Sequence, residues 1–230
     1  IYQGRLLHTA LIRSASTRSR MGINNFLRGS CATSRVVSVS ATLVWLLAIG
    51  VSIIWFSVYQ TTAGATGCIR ARWPVETTLP RNPLGPTVVL FLHPQCPCSR
   101  ASVRQLFDFV SQVETATIVT VVVLPEGTDD SFARGPVMAL LEQDYQHPPI
   151  LDTDGQQAAL FGAQTSGQAF AYSRDGRLLF SGGLTPTRGH TGYSPSISAL
   201  LKSLAGGLPN VPNCPVFGCP LQNPPKQEGT

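Results

Sequence analysis

Two cysteines with one proline between them, Cys96 and Cys98, lie in the octet HPQCPCSR, residues 93–100. Two further cysteines, Cys214 and Cys219, enclose PVFG near the C-terminus. As a thiolate, cysteine is both the nucleophile of disulfide exchange and a soft metal ligand. Cys-x-Cys therefore admits three readings: a redox pair, a metal clip, or two core residues close in sequence. His93 precedes the pair, as a site-lining group or as a satisfied strand-end histidine. Arg188 and His190 stand in TRGH, residues 187–190. Histidine offers a proton shuttle or a metal ligand, and arginine stabilises a thiolate. The plainer reading of TRGH is a solvated, glycine-rich turn.

The surrounding pattern indicates what must position these groups. TVVLFLH (87–93) is a continuous apolar run, as in a strand buried on both faces. Beyond Ala101, residues Val103, Leu106, Phe107, Val110 and Val113 recur at helical spacing. ATIVTVVVLP (116–125) is a second buried strand, which makes a βαβ unit with a parallel pair. Weak helix follows at 131–144, then an extended PPILD and a short helical GQQAALFG. QAFAYSRDGRLLFSGG (168–183) reads as a hairpin turning at Asp-Gly, and 194–207 as a helix ending in Gly. The class is α/β, a small mixed sheet with helices on both faces. With Pro97 as the first helical residue, Cys96 becomes the N-cap and both sulfurs lie by the positive helix start. If the hairpin strands reverse in turn, TRGH emerges at the same sheet edge as Cys96.

Charge and hydropathy place the domain. Residues 1–72 carry eight Arg and no acid, while the remainder carries nine basic and twelve acidic residues. The basic balance belongs to a head, not to a nucleic-acid surface, and the body has no aromatic-interleaved basic patch. Residues 36–59 are uncharged over 24 positions, enough to cross a bilayer core of about 30 Å. Arg20, Arg28 and Arg35 precede this run, which puts the N-terminus in the cytoplasm and the body beyond the inner membrane, in the periplasm. A cleaved signal with AGA at 63–65, or a lipoprotein box ending at Cys68, leaves the domain on the same side. Residues 1–20 precede the first methionine, Met21, which is compatible with a start-site artefact, and they are set aside. The expected organisation is a basic head (1–35), a membrane helix (36–59), a linker (60–86), the α/β domain (87–207) and a Pro-rich tail with a cysteine pair (208–230). Cys31 falls on the cytoplasmic side. The other five cysteines face an oxidising compartment, where two close pairs leave Cys68 over.

The strand–cysteine–helix junction resembles thioredoxin-like oxidoreductases, whose first cysteine follows a strand Phe by five residues, as Cys96 follows Phe91. Ser99 stands where their second cysteine would fall. A disulfide across one residue is strained, which implies an oxidising or isomerising couple. The cis-proline of that fold is also absent, with Thr165 and Ser166 in its place, the positions that the resemblance makes substrate-binding. Taken together, LHPxCPCSRAS, FGAxTSG, GRLLFSGGLTPTRGH and VFGCPL resemble the bacterial RedB-type membrane-anchored, thioredoxin-like proteins.

Two functions of different class follow. The first is a thiol–disulfide oxidoreductase without cofactor, with Cys96 attacking and Cys98 resolving a mixed disulfide on a protein substrate. Arg188 and His190 would assist. Residues 36–59 contain no cysteine, so a separate electron-transfer partner is required. The second is a metal chaperone holding Cu(I) or Zn through Cys96, Cys98 and His190, as exported thioredoxin-like copper chaperones do. A peroxidase is a more distant reading, because His93 replaces the Thr expected three residues before the cysteine. Cys214 and Cys219 are either a structural staple of the tail or a second exchanging pair.

Overall fold

The computed structural model describes residues 35–110, 113–144, 148–206 and 213–222. Cys31, most of the basic head and the end of the tail lie outside the described residues. Two units are distinguished, one ending at Ser57 and one beginning at Val58. Helix α1 (Arg35–Thr61) has 27 residues, is about 40 Å long at 1.5 Å per residue, and is apolar enough to cross a membrane.

The second unit is built on a five-stranded sheet: β1 (Thr87–Leu92), β2 (Thr117–Leu124), β3 (Ile150–Thr153), β4 (Gln168–Tyr172) and β5 (Leu178–Gly183). Spatial order is β3-β2-β1-β4-β5. β1 pairs parallel with β2, and β2 with β3; β4 runs antiparallel to both β1 and β5. The helices are α2 (Ser99–Gln105), continued by a π turn over Leu106–Val110, then α3 (Pro136–Asp144), α4 (Gln156–Phe161) and α5 (Pro195–Leu204). This is the expected thioredoxin-like plan.

The continuous apolar runs of β1 and β2 have a direct cause, because each face of the sheet meets its own core. Val88, Leu90 and Leu92 pack with Val103, Leu106, Leu141, Phe180 and Leu200 on one side. Val89 and Phe91 pack with Phe161, Phe170, Tyr172 and Leu221 on the other. Period-2 alternation sends neighbours to opposite layers, so both must be apolar.

The stretch expected as a linker has no long element but is bound along the domain. Tyr172 Oη donates to Arg70 O at 3.0 Å, and Leu178 N to Ala71 O at 2.9 Å. The Trp73 indole stands edge-on to Phe161 and Tyr172, with ring centres 5.2 and 5.3 Å away. At the other end, Cys214 N donates to Ser181 O at 2.8 Å and Gly183 N to Pro215 O at 3.2 Å. The tail thus runs beside β5.

Candidate active site

The site forms at the C-terminal end of β1, where the chain makes two tight turns before its helix. Cys96 N donates to His93 O at 3.2 Å, and Ser99 N to Cys96 O at 3.1 Å. The i→i+4 ladder opens only with Ser102 N to Cys98 O at 3.4 Å. The helix therefore starts at Ser99 with Cys98 as its N-cap, two residues later than Pro97 suggested. Proline's fixed φ and missing N–H suit a turn as well as a first helical turn, and here the bond to His93 selects the turn.

Ser99, at the position of the absent second cysteine, has a structural task. Its Oγ donates to His93 O at 3.1 Å and lies 2.6 Å from Ser166 Oγ. Ser166 Oγ in turn accepts from His93 N at 2.8 Å. With Ser99's proton given to the carbonyl, Ser166 must donate to Ser99. Two buried hydroxyls and the N–H and carbonyl of His93 thus close a ring in which every group is paired. Ser166→Ala removes the acceptor of His93 N–H, and a loss of about 1–3 kcal/mol is expected in denaturant unfolding.

The sulfurs converge from two directions. Sγ of Cys96 and Sγ of Cys219 are 2.8 Å apart. Cys98 joins them, all three Sγ lying within 4.8 Å of one another. Cys96 is 3% exposed, while Cys98 and Cys219 are half-buried. The hydrogen bond from the Cys219 thiol is the main cause that lowers Cys96 to about 5, with Ser99 assisting against burial. The same bond pushes Cys219 up, since losing its proton would leave two thiolates in contact. Cys98 is raised by burial first and then by the Cys96 charge. One thiolate therefore sits at Cys96, and two thiols flank it.

The remaining candidates separate. Cys214 is not in this cluster; its side chain is buried in the core layer with Phe180 and Leu200. TRGH reaches the sulfurs as a turn, for a Cβ on Gly189 would be 3.9 Å from Cys98 Sγ. Arg188 Nε donates to Tyr59 O at 3.1 Å, Nη2 to Thr62 O at 3.2 Å, and Nη1 to Gly218 O. Its charge lowers Cys98 and Cys219 only as a minor contribution. His190 is exposed, with Nδ1 2.8 Å from Arg188 O and 3.1 Å from Thr187 Oγ1, and it is outside the three-sulfur cluster. His93 is half-buried, and burial lowers its pKa; Nδ1 accepts from Gln95 N at 3.2 Å, so the ring is neutral. Thr165 Oγ1 donates to Ala65 O at 2.7 Å, so this hydroxyl is engaged by the segment before β1.

One contributor was missed in the sequence. Gln105 is buried and clamps the loop that carries TRGH, donating to Leu184 O (3.1 Å) and Gly192 O (2.6 Å) and accepting from Gly192 N (3.1 Å). Its only signal was a polar residue next to the apolar stripe of α2. Cys219 was expected with Cys214, as a tail staple or as a second pair exchanging with Cys96 and Cys98; it lies beside Cys96, and Cys214 does not.

No protein-family model and no curated protein matches the chain. Among solved structures, the hypothetical protein SMc02350 from Sinorhizobium meliloti 1021 aligns with a TM-score of 0.51 at 19% identity, over 70% of this chain and 96% of that one. An uncharacterized conserved protein from Geobacillus kaustophilus aligns at 0.45 and 16%, over 72% and 94%. A secreted Mycobacterium tuberculosis disulfide oxidoreductase homologous to E. coli DsbE aligns at 0.38 and 17%, over 53% and 81%. Likeness at these identities is a likeness of fold.

Proposed function

We propose that this thioredoxin-like chain is a thiol–disulfide oxidoreductase in which Cys96 is the nucleophile and Cys219 its intramolecular partner. The observation that carries the reading is the 2.8 Å approach of those two sulfurs, one acidic and one not. The Cys96 thiolate attacks a substrate disulfide, forming a mixed disulfide and releasing one substrate thiolate. Cys219 then gives its proton to that thiolate or to solvent and attacks the Cys96 sulfur. The Cys96–Cys219 bond forms, and the second substrate sulfur leaves as thiolate. Two electrons pass from the protein to the substrate, and the reverse sequence oxidises a dithiol. Cys98 lies within 4.8 Å of both sulfurs and serves as the alternative resolving thiol.

In this reading Arg188 is a positioning residue, because it holds the carbonyl of Gly218 beside Cys219. Thr165, Ser166 and His93 shape the floor of the site. We assign no proton transfer to His190, whose Nδ1 is engaged by its own turn. We further place the domain in the periplasm, held to the inner membrane by α1 with its N-terminus in the cytoplasm. On the quoted motifs we place the chain with the RedB-type proteins. A protein substrate and a separate electron-transfer partner belong to the same proposal.

Three converging sulfurs also support a second reading, a Cu(I) or Zn site made by Cys96, Cys98 and Cys219 in place of His190. Two thiolates on one zinc, at about 2.3 Å and tetrahedral angles, stand roughly 3.8 Å apart. The Cys96 and Cys219 sulfurs are closer than that, within reach of direct exchange.

The test equilibrates the full chain in detergent across glutathione redox buffers, quenches it with alkylating agent and maps the thiols by mass spectrometry. A reversible Cys96–Cys219 disulfide is the expected result. Cys96 reduced at every potential, with stoichiometric Cu(I) binding that requires Cys219, would transfer the site to the metal reading.

A further inference from the structure

Segment 218–221 touches more than one sulfur. Ser166 N donates to Cys219 O at 2.8 Å and Leu221 N to Gln164 O at 2.9 Å, which makes Thr165 and Pro220 an antiparallel bridge. These bonds use main-chain groups only, and they treat the tail as an added strand. Gly218 crosses so close that a Cβ there would lie 1.9 Å from Ser166 O. Two residues past the cysteine, Leu221 is fully buried in the layer of Phe91, Phe161 and Phe170. Beyond it the Gln222 side chain donates to Asp154 O at 3.1 Å and accepts from Glu126 N at 3.3 Å.

The same edge governs access to the nucleophile. At 3% exposure, Cys96 is beyond the reach of a polypeptide disulfide while this segment is seated. Everything that holds the segment is open to other chains: one N–H, one carbonyl, an arginine and an apolar pit. We propose that Gly218–Leu221 is an internal occupant of the edge where this site takes polypeptides. The polypeptides that displace it are extended segments carrying a cysteine and, two residues later, an apolar side chain. This rests on the exchange reading above and adds to it a substrate pattern and a built-in competitor. A tethered segment competes at an effective concentration of order millimolar, so substrates lacking the apolar residue are held off.

The test uses two full-length chains. One carries Cys219→Ser, which keeps the segment but removes its sulfur. The other carries Cys219→Ser with Leu221→Asp, which removes its apolar anchor. The probes are the peptides Val-Phe-Gly-Cys-Pro-Leu and Val-Phe-Gly-Cys-Pro-Asp, each as a mixed disulfide with thionitrobenzoate. Cys96 thiolate attacks the peptide sulfur, the Cys96–peptide bond forms, and coloured thionitrobenzoate leaves. Burial of the leucine side chain favours the Leu peptide, which should react about tenfold faster or more than the Asp peptide with the double variant. The double variant should also outpace the single one by a similar factor.

Equal rates for the two peptides, with release still requiring Cys96, overturn the tail proposal and leave the exchange reading intact. Release in Cys96→Ser as fast and as large as in the parent chain, beyond the share owed to exposed Cys68 and to Cys98, overturns both. A second measurement needs no altered anchor. When the Cys219→Ser chain receives the Leu peptide with serine for cysteine, Leu221 N–H should lose hydrogen-exchange protection while Ser166 N–H keeps it. Unchanged protection of Leu221 at saturating peptide overturns the proposal.

Discussion

Replacing Cys219 by alanine is expected to raise the midpoint of the pH profile for Cys96 alkylation from about 5 towards the ordinary thiol range of about 8.5. Cys219→Ser, which keeps a donor in the same place, should hold the midpoint low. The sign follows from the partner. A neighbour that donates to the thiolate favours the charged form, and alanine removes the largest such donor, leaving burial opposed by the weaker bonds from Ser99 and the Cys219 main chain. For a midpoint moved the whole way, the ionised fraction at pH 6 falls roughly 300-fold. The less acidic thiolate is intrinsically about 40-fold more nucleophilic at a Brønsted slope near 0.45, so reactivity drops about tenfold net. Above neutral pH the order inverts, with the alanine variant reacting faster. The midpoint is the quantity to read, since removing a side chain also opens access and changes amplitude. An unmoved midpoint in Cys219→Ala would mean that the tail sulfur does not set the acidity of Cys96.

The second large effect is on stability. Phe161→Ala should cost about 3–5 kcal/mol, the usual range for deleting a fully buried aromatic ring. Phe161 is 0% exposed and is the hub of an aromatic cluster. Trp73, Phe91, Tyr172 and Phe170 have ring centres 5.2, 5.5, 5.8 and 6.0 Å from it. Because Trp73 comes from the segment before β1, the deletion loosens that segment as well as the sheet. A lowering of the thermal midpoint by roughly 6–20 °C is expected for a domain of this size, read by circular dichroism. A fall of only a degree or two would show that the cluster repacks.

These two cases also show what was legible beforehand. The βαβ unit, the hairpin at Asp-Gly and the last helix follow from periodicity and turn chemistry, which act over a few residues. β1 through α5 accordingly appear close to where they were expected. Cys96 was identifiable from its place after β1, and TRGH does lie over Cys98 once the hairpin reverses the chain twice. Cys219 was legible only as one of a pair with Cys214 that could exchange with Cys96 and Cys98, not as the neighbour of Cys96 by itself. Cys98 is near in sequence and Cys219 is 123 residues away, and only the pairing of 164–166 with 219–221 brings it in. Ser99 carried no sign of its hydroxyl ring, because that ring needs Ser166 from another part of the chain. The helix start was misplaced because Pro97 suits both a turn and a first helical position. The choice between them lay in a main-chain bond to His93.

The separation of 123 positions from Cys96 to Cys219 also sets an order of events at birth. At 5–20 residues per second, Cys219 is made about 6–25 s after Cys96. Throughout that interval Cys96 exists without the thiol that lowers its pKa, and Cys98 is its neighbour across one residue. Closing so short a loop takes far less than a microsecond, whereas the tail cannot dock until β4 and β5 have been laid down. The nascent chain thus passes through a stage in which Cys96 is an ordinary thiol beside Cys98. Only with the last residues of the domain does it become an acidic one beside Cys219. The acidity of Cys96 is thus acquired only after the sheet that supports the docked tail is complete.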